Sequence, residues 1–183
     1  MDPMTHLALL RGINVGGKHR VPMEDLRASF ENAGMADVGT YINTGNVLFT
    51  APDGSSASEL AAQLEVRLSE DFGFPIPVLV VTGSDLAAVT AAIPSGWAND
   101  DTQKSDVIFL FPELHGPDAL SRFPVKPGID EVIYESGAVI WRVARKDQPR
   151  TGLVTVVGTS LYRRCTIRNV NTVRKLAALA ASR

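Results

Sequence analysis

The order of apolar segments and turn signals over residues 4–81 constrains the fold of this chain more than any other feature. An apolar run at His6–Leu10 has the length of a buried strand. A helical pattern then begins at Pro22, two short strand patterns follow, and a second helical pattern precedes the aliphatic run Ile76–Val81. The order strand, helix, strand, strand, helix, strand is that of the ferredoxin-like split βαβ unit.

Three local signals support this order. Pro22 stands where proline fits best, in the first turn of a helix. Ser56 and Glu59 have the spacing of a capping box, in which each side chain satisfies a backbone N–H at a helix start. Thr44 and Gly45, between the second and third strand patterns, supply the residue types of a tight hairpin turn.

Residues 82–183 repeat this order less regularly. After a linking helix, the patterns predict a strand, a short helix, a hairpin of two strands and two further helices, at residues 107–111, 117–123, 131–134 with 139–143, 153–161 and 172–179. We therefore predict an α+β fold of tandem, pseudo-duplicated ferredoxin-like units: βαββαβ over residues 4–81 and a variant βαββα unit over residues 82–183. No Pro/Gly/Ser-rich linker separates them, so we expect one merged body.

The composition predicts a cytoplasmic globular protein. The hydrophobic fraction of 45% and the charged fraction of 21% are ordinary for a folded domain. No apolar run approaches the roughly 20 residues of a membrane helix, and we expect no membrane partner. The N-terminus lacks the basic and apolar regions of a secretory signal. Cys165 is the single cysteine, which excludes an intramolecular disulfide and favours a reducing compartment.

Charge is unevenly distributed, although the net charge is only −2. Residues 1–135 carry 8 basic and 19 acidic side chains, whereas residues 136–183 carry 10 basic side chains and Asp147 as their one acid. Such asymmetry favours an anionic partner at the basic end of the chain. The alternative is that the two halves neutralise each other in the fold.

The segment RGINVGGKHR, residues 11–20, directly follows the first strand. Its glycines permit close approach of a ligand and could aim several backbone N–H groups at one anion, while its cations supply charge. Asn43 and Asn46 of the hairpin are further polar candidates. The alternative is a flexible crossover with solvated cations. The candidate ligand-binding residues of this part of the chain are Arg11, Asn14, Gly16, Gly17, Lys18, Asn43 and Asn46.

This segment has the first part of P-loop spacing, but its chemistry argues against a P-loop. His19 stands where serine or threonine would hold magnesium. The next helix is predicted to start at Pro22 and not at Lys18. A dinucleotide fingerprint is also absent, because no Gly-x-Gly-x-x-Gly occurs. We expect no cofactor.

A second concentration of polar residues lies at 163–175, where Arg168, Asn169 and Asn171 are candidates for a second wall of the ligand site. A helix start beside several guanidinium groups favours anions. The alternative is a solvated cationic face with asparagine as a helix cap. No metal site is expected, because the three histidines are scattered without a second ligand at a useful spacing.

Four motifs together resemble a bacterial family known as domain of unknown function 1697. They are LLRGINVGGKHRVPMEDLR at 9–27, TYINTGNVLF at 40–49, FGFPIPVLV at 72–80 and TIRNVNTVRKL at 166–176. The resemblance covers nearly the whole chain, and the first motif is highly specific. It implies a duplicated ferredoxin-like α+β fold, and it implies no activity, cofactor or catalytic residue.

The leading functional hypothesis is a binding module for a phosphate-bearing ligand, either a nucleotide-like small molecule or nucleic acid. One alternative is an enzyme of unknown reaction that uses the same loop, with His19 as the obvious general acid or base. Another is a protein-interaction or oligomerisation unit in which the acidic and basic halves pair between chains. The sequence leaves these three open.

Overall fold

The structure is a computed structural model that describes residues 4–183. Its internal contacts divide the chain into two compact units. The first ends at Leu86 and also includes Ala178–Arg183, and the second spans Ala87–Ala177. The predicted boundary between residues 81 and 82, and the merging of the units into one body, stay predictions. Within the described residues, no helix is both long and apolar enough to cross a membrane.

The first unit contains a four-stranded antiparallel sheet and two helices that follow the predicted order. In chain order the elements are β1 (Thr5–Leu10), α1 (Met23–Asn32), β2 (Ala36–Tyr41), β3 (Asn46–Thr50), α2 (Ala57–Phe72) and β4 (Val78–Thr82). The strands lie in the order β2-β3-β1-β4, and each neighbouring pair is antiparallel.

The core of the first unit lies between this sheet and the apolar faces of α1 and α2. Ala8 and Leu10 of β1 belong to the same buried cluster as Phe30 of α1 and Leu64 of α2. Alternate residues of a strand point to one face, so Ala8 and Leu10 share a side. Burial of each large side chain stabilises the fold by about 1.5–3 kcal/mol.

Both ends of α2 form as the sequence indicates. Ser56 N–H donates to the Glu59 carboxylate at 2.9 Å, and Glu59 N–H donates to Ser56 Oγ at 3.2 Å, which confirms the capping box. Gly73 ends the helix with φ 78°, a conformation that favours glycine. Ser29 of α1 donates to the carboxylate of Asp71, which ties the two helices together.

The second unit contains another four-stranded antiparallel sheet. The remaining elements are α3 (Gly83–Ala92), β5 (Gln103–Leu110), β6 (Asp130–Glu135), β7 (Ala138–Ala144), α4 (Ser160–Arg163), β8 (Cys165–Asn169) and α5 (Val170–Ala181). The strands lie in the order β6-β7-β5-β8, with each neighbouring pair antiparallel. The second sheet therefore repeats the strand order of the first.

The predicted βαββα order is wrong near its end, because it lacks β8. This strand pairs with β5 from Cys165, opposite Leu110, to Asn169, opposite Asp106. Thr166 and Ile167 are β-branched and favour a strand. The surrounding arginines hid that signal, since a run of charges is typical of a solvated surface segment.

Two predicted helices are also wrong in extent. The structure has only a 3₁₀ turn at Leu120–Arg122 within residues 117–123. Residues 153–161 divide into a 3₁₀ turn at Gly152–Thr155 and the four-residue helix α4. Gly158 has φ 85°, which interrupts a right-handed helix. The β-branched residues of this segment also lower its helix propensity.

A buried carboxylate organises the core of the second unit. Asp130 is 8% exposed. Its Oδ1 accepts hydrogen bonds from Trp141 Nε1 at 3.1 Å and from Thr151 Oγ1, while Oδ2 accepts from the N–H groups of Lys126 and Gly152, each at 2.9 Å. Burial by itself would raise the pKa of Asp130, but these four donors outweigh it and hold that pKa below its ordinary value.

Candidate functional site

The loop after β1 and the turn after β2 lie at the same edge of the first sheet. Both strands are antiparallel to β3, so they run in the same direction and end at the same side. Leu10 N–H donates to the carbonyl of Gly45 at 2.8 Å, and Arg11 N–H donates to that of Pro77 at 3.0 Å. The sequence alone does not determine whether the loop and the hairpin lie at the same end of the sheet.

Asn14 ties three parts of this edge together. Its Nδ2 donates to the carbonyl of Val21 at 3.0 Å and to that of Asn43 at 2.9 Å, and its Oδ1 accepts from Val21 N–H at 2.8 Å. Its backbone N–H donates to the carbonyl of His19 at 3.0 Å. The side chain thus closes the loop onto itself and attaches it to the turn at residues 42–45.

We expect Asn14→Ala to lower the free energy of unfolding by about 2–3 kcal/mol, because it removes three hydrogen bonds worth about 1 kcal/mol each. Asn14 also has φ 54°, where alanine is strained. Asn14→Gly removes the same bonds without that strain and should be the less damaging of the two. Urea unfolding of both variants measures the effect. Equal stability of wild type and both variants would contradict this role for Asn14.

The tip of the loop is an exposed reverse turn. Lys18 N–H donates to the carbonyl of Val15 at 3.2 Å, and the two residues form an isolated β-bridge. Gly16 and Gly17 lie between them with φ 60° and φ 74°, where a side chain would be strained. The side chains of Val15 and Lys18 are exposed.

His19 is held against the body of the first unit. Its ring stacks on Phe74 with the ring centroids 4.4 Å apart. Its Nδ1 lies 3.3 Å from the carbonyl oxygen of Gly12, at hydrogen-bond distance. These two contacts fix the returning half of the loop and give His19 a structural role.

Gly45 and Asn46 shape the turn opposite the loop. A Cβ on Gly45 would lie 2.7 Å from Leu10 Cβ, so only glycine permits the approach of the turn to β1. Asn46 is fully buried, and its Nδ2 donates to the carbonyl of Tyr41 and to Thr44 Oγ1, both at 3.1 Å. The structure therefore gives the candidate Asn46 a structural role in the turn.

An open pocket of about 440 Å³ lies between the loop, the turn and the start of α1. Among the residues that line it are Asn14, Gly17, Arg20, Met23 and Asn43. Three of these five are among the residues that the sequence singled out. Arg20 is one of the cations of residues 11–20 that the sequence predicts to supply charge, whereas Met23 is not a candidate from the sequence.

The start of α1 contributes a partial positive charge to this pocket. The first N–H groups of a helix have no partner within the helix, and the aligned peptide dipoles add to their field. Pro22 precedes the helix and has no side-chain oxygen that could cap it. Glu24 and Asp25 lie in the first turn and oppose an anion there.

The candidates of the second unit lie at the end of β8 and the start of α5. Arg168 Nη1 donates to Thr166 Oγ1 and to the carbonyl of Ile167, each at 2.9 Å, and burial lowers the pKa of Arg168 to about 10. Asn169 Oδ1 accepts from Thr172 N–H at 2.9 Å and so caps α5. Asn171 Nδ2 donates to the carbonyl of Asn99 at 3.1 Å.

The nearby cations are likewise engaged with the backbone of the loop after α3. Arg174 donates to the carbonyls of Trp97 at 2.6 Å and Pro94 at 3.0 Å, and Arg145 Nε donates to that of Asp100 at 2.7 Å. Part of the basic segment 163–175 therefore has a structural role, since Arg174 binds the backbone of the loop after α3. Its proposed role as a second wall of a ligand site stays a prediction.

The fold defines a mixed α+β protein with two four-stranded antiparallel sheets and helices, and its candidate site is an open pocket at one edge of the first sheet. The chain belongs to the family described as Protein of unknown function (DUF1697), whose family model matches residues 4–141. This confirms the resemblance seen in the sequence motifs.

The chain is also similar to a solved structure, that of the conserved bacterial protein SP0830 from Streptococcus pneumoniae. The two share 26% sequence identity and a TM-score of 0.81, over 97% of this chain and 98% of that one. A comparison with curated proteins found no match.

Proposed function

We propose that this protein binds a phosphate-bearing ligand, either a nucleotide-like small molecule or nucleic acid, at the edge of its first sheet. The observation that carries the proposal is the pocket of about 440 Å³ at the start of α1, lined by Asn14, Gly17, Arg20 and Asn43. A phosphate bound there would meet a helix start, a glycine backbone and cationic side chains together, which is how helix starts commonly bind anions.

Each group has a distinct part in the proposed site. Gly17 lets the ligand approach the backbone closely, because it has no Cβ. Arg20 and the exposed Lys18 supply positive charge, with Arg20 able to form two parallel bonds to one phosphate. Asn14 does not need to contact the ligand, because its hydrogen bonds to Val21 and Asn43 already fix the position of the loop beside the turn.

Helix-start binding alone contributes about 0.3–1 kcal/mol to an exposed anion, which is too little for specific recognition. Glu24 and Asp25 reduce it further. The side-chain cations must therefore provide most of the affinity, and binding should weaken as salt rises.

The experiment is titration of the protein with ATP and, separately, with a short single-stranded RNA, at low and at high salt. Lys18→Ala should weaken binding at least about tenfold, because a charged hydrogen bond contributes about 1.5–3 kcal/mol. Arg20→Gln should have a similar effect. The matched control is Arg27→Gln, an exposed cation on α1 that pairs with Glu31 at 2.9 Å and should leave affinity unchanged.

Two results would overturn the proposal. One is that neither ATP nor RNA binds at low salt. The other is that Lys18→Ala and Arg20→Gln both bind as wild type does. A variant whose urea unfolding matches that of wild type rules out loss of folding as the reason for lost affinity.

We also propose a second ligand-contacting region, a ferredoxin-like fold for both units and a cytoplasmic location. Arg168, Asn169 and Asn171 are proposed as a second ligand-contacting region, in line with the start of α5 beside them. We interpret the two units as ferredoxin-like copies, an interpretation that their equal strand order supports. The cytoplasm is the compartment we propose, since Cys165, the single cysteine of the sequence, is a buried thiol that forms no disulfide.

A further inference from the structure

The loop after β1 carries an exposed aromatic ring, the imidazole of His19. Phe74 covers one face of this ring, with the two ring centroids 4.4 Å apart and an angle of 19° between the ring planes. Within residues 4–183 no other aromatic ring stacks on His19. Because His19 is exposed, solvent reaches the ring on the side turned away from Phe74.

The ring of His19 is held in place without any ligand. Phe74 is half-buried and packs against the core of the first unit. The carbonyl oxygen of Gly12 lies 3.3 Å from Nδ1 and can only accept, so Nδ1 donates to it. The backbone carbonyl of His19 accepts from Asn14 N–H at 3.0 Å. A ring that is already ordered loses little conformational entropy when a ligand binds to it.

The position of His19 in the chain brings this ring close to the phosphate pocket. Gly17 and Arg20 line the pocket, and His19 lies between them in sequence. The flanking cations Lys18 and Arg20 are both exposed, and residues 11–23 contain no acidic side chain. Consecutive Cα atoms are about 3.8 Å apart, so one small ligand can contact both Arg20 and the neighbouring ring.

We propose that the open face of His19 stacks on the base of a nucleotide whose phosphates lie in the pocket. The ligand class is then a nucleoside phosphate, and not a phosphate group alone. This inference rests on the proposed function, because it requires phosphates at the start of α1. Proteins bind nucleotides and single strands in this way, with cations on the phosphates and aromatic rings, histidine included, on the bases.

The proposed contact uses the flat face of the base and not its hydrogen-bonding edge. Every nucleobase has such a face, so stacking tolerates changes of base. We therefore expect ATP, GTP, CTP and UTP to bind with affinities of the same order.

The experiment is calorimetric titration of the full chain at low salt with ATP and with tripolyphosphate. Tripolyphosphate has three linked phosphates and no nucleoside, and it carries no less negative charge than ATP. If only phosphates were recognised, it would bind at least as tightly. We expect ATP to bind at least about fivefold more tightly, the lower end of the effect of one stacked base.

His19→Asn tests the ring directly. Asparagine is not aromatic, and it tolerates the φ of 53° at this position. The variant should bind ATP no more tightly than tripolyphosphate, with its affinity for tripolyphosphate unchanged. His19→Phe retains an aromatic ring and should keep the preference for ATP.

The matched control is His115→Asn in the second unit. His115 is also exposed, and its Nε2 lies 2.9 Å from the carbonyl oxygen of Leu110. This variant should bind both ligands as wild type does. Urea unfolding of every variant separates lost binding from lost folding.

The failure of this inference differs from the failure of the proposed function. Equal affinity of wild type for ATP and tripolyphosphate would overturn the stacking contact and leave the phosphate site intact. An equal loss of both ligands in His19→Asn would also overturn it, since the ring would then act only through the position of the loop. Binding of neither ligand by wild type would overturn the proposed function itself.

A free nucleotide and one nucleotide of a single-stranded RNA present the same chemistry to this site. Titration with UTP and with a short oligouridine distinguishes the two sources, because tighter binding of the oligouridine identifies a strand and tighter binding of UTP a free nucleotide. His19→Asn should weaken binding of whichever binds more tightly by at least about fivefold. Unchanged affinity of that variant for both would overturn the proposal.

Discussion

Asp130→Asn is expected to lower the free energy of unfolding by about 3 kcal/mol, because it weakens hydrogen bonds to a charged group and leaves buried donors without an acceptor. Four donors converge on the two oxygens of Asp130. Asparagine keeps one oxygen and replaces the other with an NH₂ group. The donors that bonded to the replaced oxygen then face the NH₂ group, which cannot accept a hydrogen bond. Each buried group left unsatisfied costs about 1–3 kcal/mol.

The measurement is urea unfolding at neutral pH, supported by the melting temperature. For a chain of this length about 3 kcal/mol corresponds to a shift of about 6–12 °C. The control is Glu131→Gln on the same strand. Glu131 is 57% exposed and pairs with Arg142, so we expect a change of at most about 1 kcal/mol. Equal effects of the two substitutions would show that the Asp130 network does not stabilise the second unit.

The same network makes stability depend on pH. The pKa of Asp130 is lower in the folded state than in the unfolded chain. Its stabilising contribution is therefore complete above the unfolded pKa of about 3.9 and is lost as pH falls through the folded value. Asp130→Asn should remove this acid-dependent loss, so the wild type and the variant should converge in stability at low pH.

The pKa of Asp106 is shifted in the opposite direction to that of Asp130. Burial raises its pKa, although Lys104 lies 3.3 Å away and opposes the shift. The ionised form of Asp106 is thus disfavoured in the folded state, so its contribution to stability is complete below the unfolded pKa and is lost as pH rises through the higher folded pKa. Asp106→Asn should consequently change the pH profile in the opposite direction to Asp130→Asn.

The sequence was most informative where a local interaction determines the structure. The capping box of Ser56 and Glu59 involves only neighbouring residues, and it forms as predicted. The order of elements in the first unit follows from apolar periodicity and was also predicted correctly. The strand β8 was missed, because it is five residues long and is stabilised by pairing with β5, which is distant in sequence.

For the candidate site, the sequence predicts which residues are present better than it predicts the structural role of each side chain. The amide group of Asn14 was singled out, but its bond to the carbonyl of Asn43 depends on strand directions that local patterns do not specify. Asn46 is a polar candidate from the hairpin sequence, and the structure shows that it is buried at the turn. Arg20 is predicted from sequence to supply charge, but its place in the pocket depends on the path of the chain into α1.

Gly152→Ala is expected to destabilise the protein by more than about 4 kcal/mol, the range associated with severe overpacking in a core. A Cβ at this position would lie 1.6 Å from the carbonyl oxygen of Pro124 and 2.7 Å from its carbon. Both atoms are backbone, so a side-chain rotation cannot relieve the clash. The two segments must separate, which also pulls Gly152 N–H away from Asp130.

Gly96→Ala is the matched control, since nothing lies within 4 Å of its added Cβ and its φ is not in the left-handed region. Its stability should stay within about 0.5 kcal/mol of wild type or rise slightly. A loss for Gly152→Ala no larger than that for Gly96→Ala would contradict the close packing against Pro124.

A double-mutant cycle separates the two reasons for the loss. In an Asp130→Asn background the hydrogen bond from Gly152 N–H is already weakened, whereas the clash with Pro124 is unchanged. The cost of Gly152→Ala should therefore be smaller in that background by about 0.5–3 kcal/mol, the usual coupling between residues in contact. Strict additivity would mean that the clash alone accounts for the effect, and that Gly152 and the carboxylate of Asp130 act independently.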